Sequence, residues 1–408
     1  MRGRSGSGFR SQFPGAHGGE AGFLIRDTVR ERKLKALSAI SATLIAVAGV
    51  WAAGFCLFET SAQAQPAAKP ARPLPVFEVD QNWPKMPANF RAPFVSGIQI
   101  DPQGNAWLTT RPSRAQPDAQ KTVGPPIMIF DPNGNYIRGW GGPGPGYEWP
   151  ASEHNVYIDY KGYVWVTGDS CKGRTSPLDD DQVLKFTQDG KFVMQIGHSD
   201  AGRGDNDTEN FRRPPNVQVS PKTNELFVAD GYGNHRIIVL DADTGKFKRM
   251  WGAFGKPPMG PEWCFSEDPS SFEGDGAPYF ATPHVLLLSH DDLLYVVDRS
   301  NRRIQVFSPD GKFIRQLARY DAPFARNLAF SPDPDQRFIY TGYGNGIAVI
   351  DRKTMEYIGM IQAPGFDVPG HQIATDSKGN LYVTGVNIPG KANAQRLIYK
   401  GMSASLGR

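Results

Sequence analysis

Past residue 66 the chain alternates apolar and polar positions in short runs and keeps no sustained helical period. One run recurs as Ile98-Gln99-Ile100-Asp101, Val156-Tyr157-Ile158-Asp159, Val217-Gln218-Val219-Ser220, Leu286-Leu287-Leu288-Ser289, Leu328-Ala329-Phe330-Ser331 and Ile373-Ala374-Thr375-Asp376. Each copy reads as a short strand ending in Asp or Ser. Most then turn through Gly or Asn, as in Gln103-Gly104-Asn105 and Lys378-Gly379-Asn380. A second strand, rich in β-branched and aromatic residues, follows every copy; Ala106-Trp107-Leu108-Thr109 and Val164-Trp165-Val166-Thr167 are examples. Behind it comes a hairpin with an Asn-Gly or Asp-Gly turn, as at Asn133-Gly134 and Asp310-Gly311.

Four antiparallel strands per copy make one propeller blade, and six copies spaced by roughly 40 residues plus loops make a ring. The sequence therefore predicts an all-β, six-bladed β-propeller. The sixth copy stops at its third strand, Arg396-Leu397-Ile398-Tyr399-Lys400, and Pro75-Val76-Phe77-Glu78-Val79 ahead of the first copy can supply its fourth. Pairing the two ends in this way removes the free sheet edges of an open array. We place a single propeller domain at 75–408, behind a Pro/Ala-rich flexible segment at 65–74.

Residues 1–64 differ in kind. A polar lead and a basic stretch, Arg30-Glu31-Arg32-Lys33-Leu34-Lys35, precede an uncharged run over 36–58, and Ser61-Ala62-Gln63-Ala64 completes the pattern of a signal peptide. The run is also long enough to stay in a bilayer as a signal anchor. Both outcomes export the propeller, and the expected location is periplasmic or secreted, with membrane contact only if the segment is uncleaved. These 64 residues carry the whole positive excess of the chain, whose formal net charge is +4, so the propeller is near neutral. The basic balance gives no ground for a nucleic-acid partner. Of three cysteines, Cys56 falls in the signal segment, and Cys171 and Cys264 are left either to pair or to stay free. A monomer is expected.

Stepping back five residues from the terminal Asp or Ser of each inner strand gives Ser96, His154, Pro215, His284, Arg326 and His371. Histidine occupies this register in blades two, four and six. Alternate blades of a six-bladed ring lie about 120° apart, so equal register brings three imidazoles to one height on the channel axis. Three histidines with an open fourth position are the arrangement of catalytic zinc, with iron or copper as other transition metals that imidazole suits. The loop after the second strand of a blade returns to the same end, which adds Arg111 and Tyr232, and Arg326 shares the histidine register. Tyrosine can act as a general base when neighbouring cations or a metal lower its pKa.

The segments Glu153-His154-Asn155-Val156, Ala229-Asp230-Gly231-Tyr232-Gly233-Asn234-His235-Arg236, Pro283-His284-Val285-Leu286 and Asp298-Arg299-Ser300-Asn301-Arg302-Arg303 resemble NHL-repeat propellers. More narrowly, with Pro369-Gly370-His371, they resemble the catalytic core of peptidyl-α-hydroxyglycine α-amidating lyases over about residues 90–395. The resemblance implies His154, His284 and His371 as zinc ligands, Tyr232 as catalytic tyrosine, and Arg111 and Arg326 as active-site arginines. It implies a metal-dependent cleavage of the N–C bond of an α-hydroxyglycine-type amide, giving a primary amide and glyoxylate, with a small-molecule or peptide substrate in the central channel. Three departures stand beside it: Gly233 replaces a disulfide cysteine, an extra residue precedes His371, and Gln372 replaces an aspartate that contributes to structural calcium, which puts calcium in doubt. The alternative reading is a non-catalytic NHL propeller that binds a peptide, glycan or envelope component.

Overall fold

The turn that ends each inner strand shows how local chemistry starts a blade. The carboxylate of Asp101 accepts the backbone N–H of Gln103 and Asn105 at 3.0 and 2.8 Å and the indole N–H of Trp107 at 3.0 Å. One side chain thus closes the turn and fixes the first large residue of the next strand. Asp159 repeats this with Lys161, Tyr163 and Trp165. Asp376 does so with Lys378, Asn380 and the Tyr382 hydroxyl. The turn needs a left-handed residue, and Gly104, Gly162 and Gly379 supply it with φ of 84°, 83° and 86°.

In the computed structural model, residues 72–91, 94–115, 118–261, 274–318, 326–343, 346–367, 370–385 and 393–403 are described. The signal segment, Cys56, Cys264 and most of the Pro/Ala-rich lead lie outside them. The described residues form six four-stranded antiparallel sheets, with two single 3-10 turns and no α-helix among them. Blade one runs through Val95–Ile100, Ala106–Thr110, Ile127–Phe130 and Tyr136–Trp140. Blade two starts at Glu153–Ile158, blade three at Asn216–Val219 and blade four at Pro283–Leu288. Blade five starts at Ala329–Phe330 and blade six at Gln372–Thr375. In the sixth sheet, Pro75–Asp80 pairs with Ala394–Met402 as outermost strand.

Packing holds the ring between blades rather than within them. Trp165, Val183 and Ile196 of blade two bury against Val217, Leu226 and Ile238 of blade three, and five equivalent clusters join the other neighbours. One of them sets Tyr382 and Ala394 of blade six against Val95 and Leu108 of blade one, so the last interface matches the rest. Each fully buried aliphatic or aromatic side chain contributes about 1.5–3 kcal/mol. Six such interfaces make the inner ends of the blades a fixed frame.

Five of the six inner strands begin earlier than the repeat pattern predicts, blade five being the exception, and three carry an irregularity at their start. Pairing skips Ser96 between Val95 and Gly97, His154 between Glu153 and Asn155, and His284 between Pro283 and Val285. In blade six both His371 and Gln372 bond to Thr384. Two residues opposite one is a β-bulge, which re-aims the extra side chain.

Candidate metal and catalytic site

The bulged residues build the site. His154 and His284 are fully buried and His371 is half-buried. Their ring centroids lie 5.0 Å (154–284), 4.8 Å (154–371) and 5.3 Å (284–371) apart. One ligand nitrogen from each falls within 4.8 Å of the others. The sequence register and the structure bring the same three imidazoles together.

Each imidazole is oriented by the next blade. The Nδ1–H of His154 donates to Pro215 O at 2.8 Å, that of His284 to Arg326 O at 2.8 Å, and that of His371 to Ser96 O at 2.6 Å. Pro215, Arg326 and Ser96 are the register-equivalent residues of blades three, five and one. The six positions therefore alternate between an imidazole and the carbonyl that holds it. A carbonyl only accepts, so every Nδ1 carries the proton and every Nε2 presents a lone pair.

Burial, the neighbouring histidines and the arginines keep the rings neutral. His154 is held well below its ordinary pKa by burial, then by His371 and Arg111. His284 is lowered likewise by burial and Arg299. Burial and Arg111 bring His371 down to about 3.

The donor set fits a transition metal. Nε2 of His154 and Nε2 of His284 lie 3.2 Å apart with no proton between them, a repulsive contact unless a cation sits against both. Two nitrogens on one tetrahedral zinc are separated by about 3.3 Å, from Zn–N bonds of about 2.05 Å. Imidazole oriented through Nδ1 is also the usual state of a ligating histidine.

Tyr232 stands beside this centre. It is 3 % exposed, and its hydroxyl lies 3.3 Å from His154 Nε2. Arg299 Nη1 donates to the same hydroxyl at 2.9 Å, with its Cζ 5.1 Å from the ring centroid. The sequence expects neighbouring cations or a metal to lower this tyrosine, and Arg299 and Arg111 do pull in that direction. Burial outweighs them, and the phenol sits above its ordinary pKa.

The predicted arginines divide. Arg111 is buried at the site, where Nε donates to Glu153 O at 2.7 Å and Nη2 to Asp169 at 2.8 Å. The second oxygen of Asp169 is buried with no hydrogen-bond partner among the described residues. Arg326 enters through its backbone carbonyl, on His284, while its side chain is exposed. The guanidinium on the Tyr232 hydroxyl is that of Arg299, which the sequence reading did not single out. It follows the second strand of blade four, Leu294–Asp298, as Arg111 and Tyr232 follow those of blades one and three. The loop rule that found those two finds Arg299 as well.

No protein-family profile matches the sequence. The chain has homologues among amidating monooxygenases, amidating lyases and NHL-repeat proteins. It is 29 % identical over 351 residues to peptidylglycine alpha-amidating monooxygenase of Rattus norvegicus, covering 78 % of this chain and 32 % of that protein. It is 26 % identical over 254 residues to peptidyl-alpha-hydroxyglycine alpha-amidating lyase 2 of Drosophila melanogaster, covering 58 % of this chain and 52 % of that protein. NHL repeat-containing protein 3 of Homo sapiens is 24 % identical over 242 residues, covering 58 % and 57 % of the two chains. The chain thus spans about a third of the monooxygenase and just over half of the other two.

Proposed function

We propose that this protein is an exported, zinc-dependent lyase that splits an α-hydroxyglycine-type amide into a primary amide and glyoxylate. The observation that carries the reading is the placement of Tyr232, whose hydroxyl lies 3.3 Å from His154 Nε2 and 2.9 Å from Arg299 Nη1 beside three converging imidazoles. A binding module has no use for a buried phenol between a cation and a metal-type donor set.

His154, His284 and His371 would hold the zinc. Bound there, it supplies a Lewis acid for a substrate oxygen and the positive charge that offsets burial of the phenol. Arg111 and Arg299 hold the substrate carboxylate and orient the carbinol carbon toward Tyr232. Tyr232 removes the hydroxyl proton as the carbon–oxygen double bond forms. The carbon–nitrogen bond breaks and the nitrogen takes a proton, which Tyr232 is placed to return. The products are the amide and glyoxylate, with no oxidant or second substrate consumed.

Export is supported by the signal pattern before residue 65 and by Cys171, which is disulfide-bonded. Disulfides persist in oxidising compartments. No helix among the described residues is long and apolar enough to cross a membrane.

The test is glyoxylate release from an N-acyl-α-hydroxyglycine by the zinc-loaded protein. Release that follows zinc content supports the reading. A zinc-loaded, folded protein that releases none contradicts it and leaves a binding propeller.

A further inference from the structure

Resting on that reading of the site, we infer that Arg213 is a positioning residue, a clamp that sets Tyr232 and His154 relative to each other. Its backbone is left-handed at φ 59°, immediately before Pro214-Pro215. Residues before proline avoid helical conformations, so this one is held in place by its surroundings. The conformation delivers Pro215, whose carbonyl accepts from His154 Nδ1 at 2.8 Å and from Thr167 Oγ1 at 3.0 Å.

The side chain of the same residue turns to the other partner. Arg213 is 2 % exposed, and its Nη2 and Nε donate to the backbone carbonyl of Tyr232 at 3.0 and 3.3 Å. Nη1 donates to Asp179 at 2.7 Å, which fixes the plane of the fork. Gly233 makes the space: a Cβ there would lie 2.9 Å from the Arg213 Cζ and closer still to Nη2. Arg212 adds a parallel tie, its N–H donating to Asp230 at 2.9 Å at the head of Asp230-Gly231-Tyr232.

One residue therefore reaches the metal-type site by two routes, through its backbone to the carbonyl that orients His154 and through its guanidinium to the carbonyl of Tyr232. Lysine carries the charge but lacks the planar fork that meets Asp179 and Tyr232 together. Arg213 touches neither substrate nor the reacting atoms, and its effect is on their placement.

The experiment compares wild type, Arg213→Met, Arg213→Lys and Asp179→Asn in the full mature chain. It reads cobalt(II) affinity, the visible spectrum of the cobalt form, thermal midpoint, and kcat and KM for glyoxylate release. The clamp predicts an altered cobalt spectrum and roughly tenfold weaker cobalt binding in Arg213→Met, as expected for outer-shell partners of a ligand. It also predicts a fall in kcat on the order of 10- to 100-fold with KM within about twofold, the pattern of misplaced catalytic groups rather than lost binding. Arg213→Lys should recover little of either. A purely structural role would lower the thermal midpoint and leave the spectrum and the kcat of the folded fraction at wild-type values, which overturns the proposal. If Arg213→Met does not fold, Asp179→Asn decides: the same changes in smaller measure support the clamp, and a wild-type spectrum and affinity overturn it. If wild type releases no glyoxylate, the lyase reading fails by itself, and the cobalt spectrum and affinity still judge the clamp.

Discussion

Nε2 of His154 and Nε2 of His284 face each other at 3.2 Å, each with its Nδ1 proton already given to a carbonyl of the next blade. Two lone pairs at that distance repel, and the protein holds them there because both strands are bulged and packed between neighbouring blades. The fold keeps this contact in place, and a cation bound there would relieve it.

Tyr232→Phe removes the hydroxyl and leaves the three imidazoles and their carbonyls in place. It is expected to retain zinc at the wild-type stoichiometry and to lose about 10²- to 10⁴-fold in kcat, the range for a general acid–base group. Steady-state glyoxylate assays beside metal analysis check both halves. Undiminished kcat would remove Tyr232 from the chemistry.

Arg299 and Arg326 separate the two sources of the arginine assignment. Arg299→Met takes a donor from the Tyr232 hydroxyl and a cation from beside the histidines. A loss of about 10²-fold or more in kcat/KM is expected, of the size seen when one preorganised donor is deleted. Arg326→Met leaves the carbonyl that holds His284 untouched, and a change under about threefold is expected, on the scale of an exposed charge. The opposite ranking would favour Arg326, as the sequence assigns.

Asp169→Asn tests the buried Asp169–Arg111 pair. Asp169 and Arg111 are 5 % and 4 % exposed, and the bond between them is 2.8 Å. Removing one charge strands the other, a loss of about 3–5 kcal/mol for a buried pair. Calorimetry should show a lower thermal midpoint, and kinetics a raised KM as Arg111 loses its orientation.

Asp181 gives a pH dependence outside the metal-type site. Burial raises its pKa to about 7, with one oxygen accepting from Gly202 N–H at 3.0 Å and the other buried without a partner among the described residues. Folded pKa above unfolded means the folded state binds a proton that the unfolded state releases between about pH 4 and pH 7. The stabilisation is complete below the unfolded pKa and is lost as pH rises through the folded one. Asp181→Asn should flatten the decline of the thermal midpoint between about pH 4 and pH 7. An unchanged slope would mean the carboxyl titrates normally.

Much of this was legible in the sequence because strand register is a positional code. Six apolar runs ending in Asp or Ser set six inner strands in one direction, and counting back from their ends found His154, His284 and His371. The bulges were not legible, since a skipped pair leaves no mark in the alternation. For the same reason the roles of Ser96 and Pro215, whose carbonyls accept from the imidazoles, stayed hidden. Arg326 shows the limit of the register rule. The inner strand of blade five is only Ala329–Phe330, so residue 326 lies outside it and strand alternation does not direct its side chain. The loop rule puts Tyr232 at the end of the channel where the histidines lie, but its raised pKa depends on how completely the blades bury it, which no local motif records.

Three converging imidazoles, each oriented through Nδ1, are proposed to hold one transition metal. Metal analysis of the purified propeller-containing protein after exposure to zinc and removal of the excess tests it most directly. The account predicts one zinc per chain in wild type and less than about a tenth of that in the His154→Ala/His284→Ala double variant, because a single remaining imidazole cannot hold the ion. A folded wild-type protein that takes up no stoichiometric metal, or a double variant that keeps it, would contradict the account.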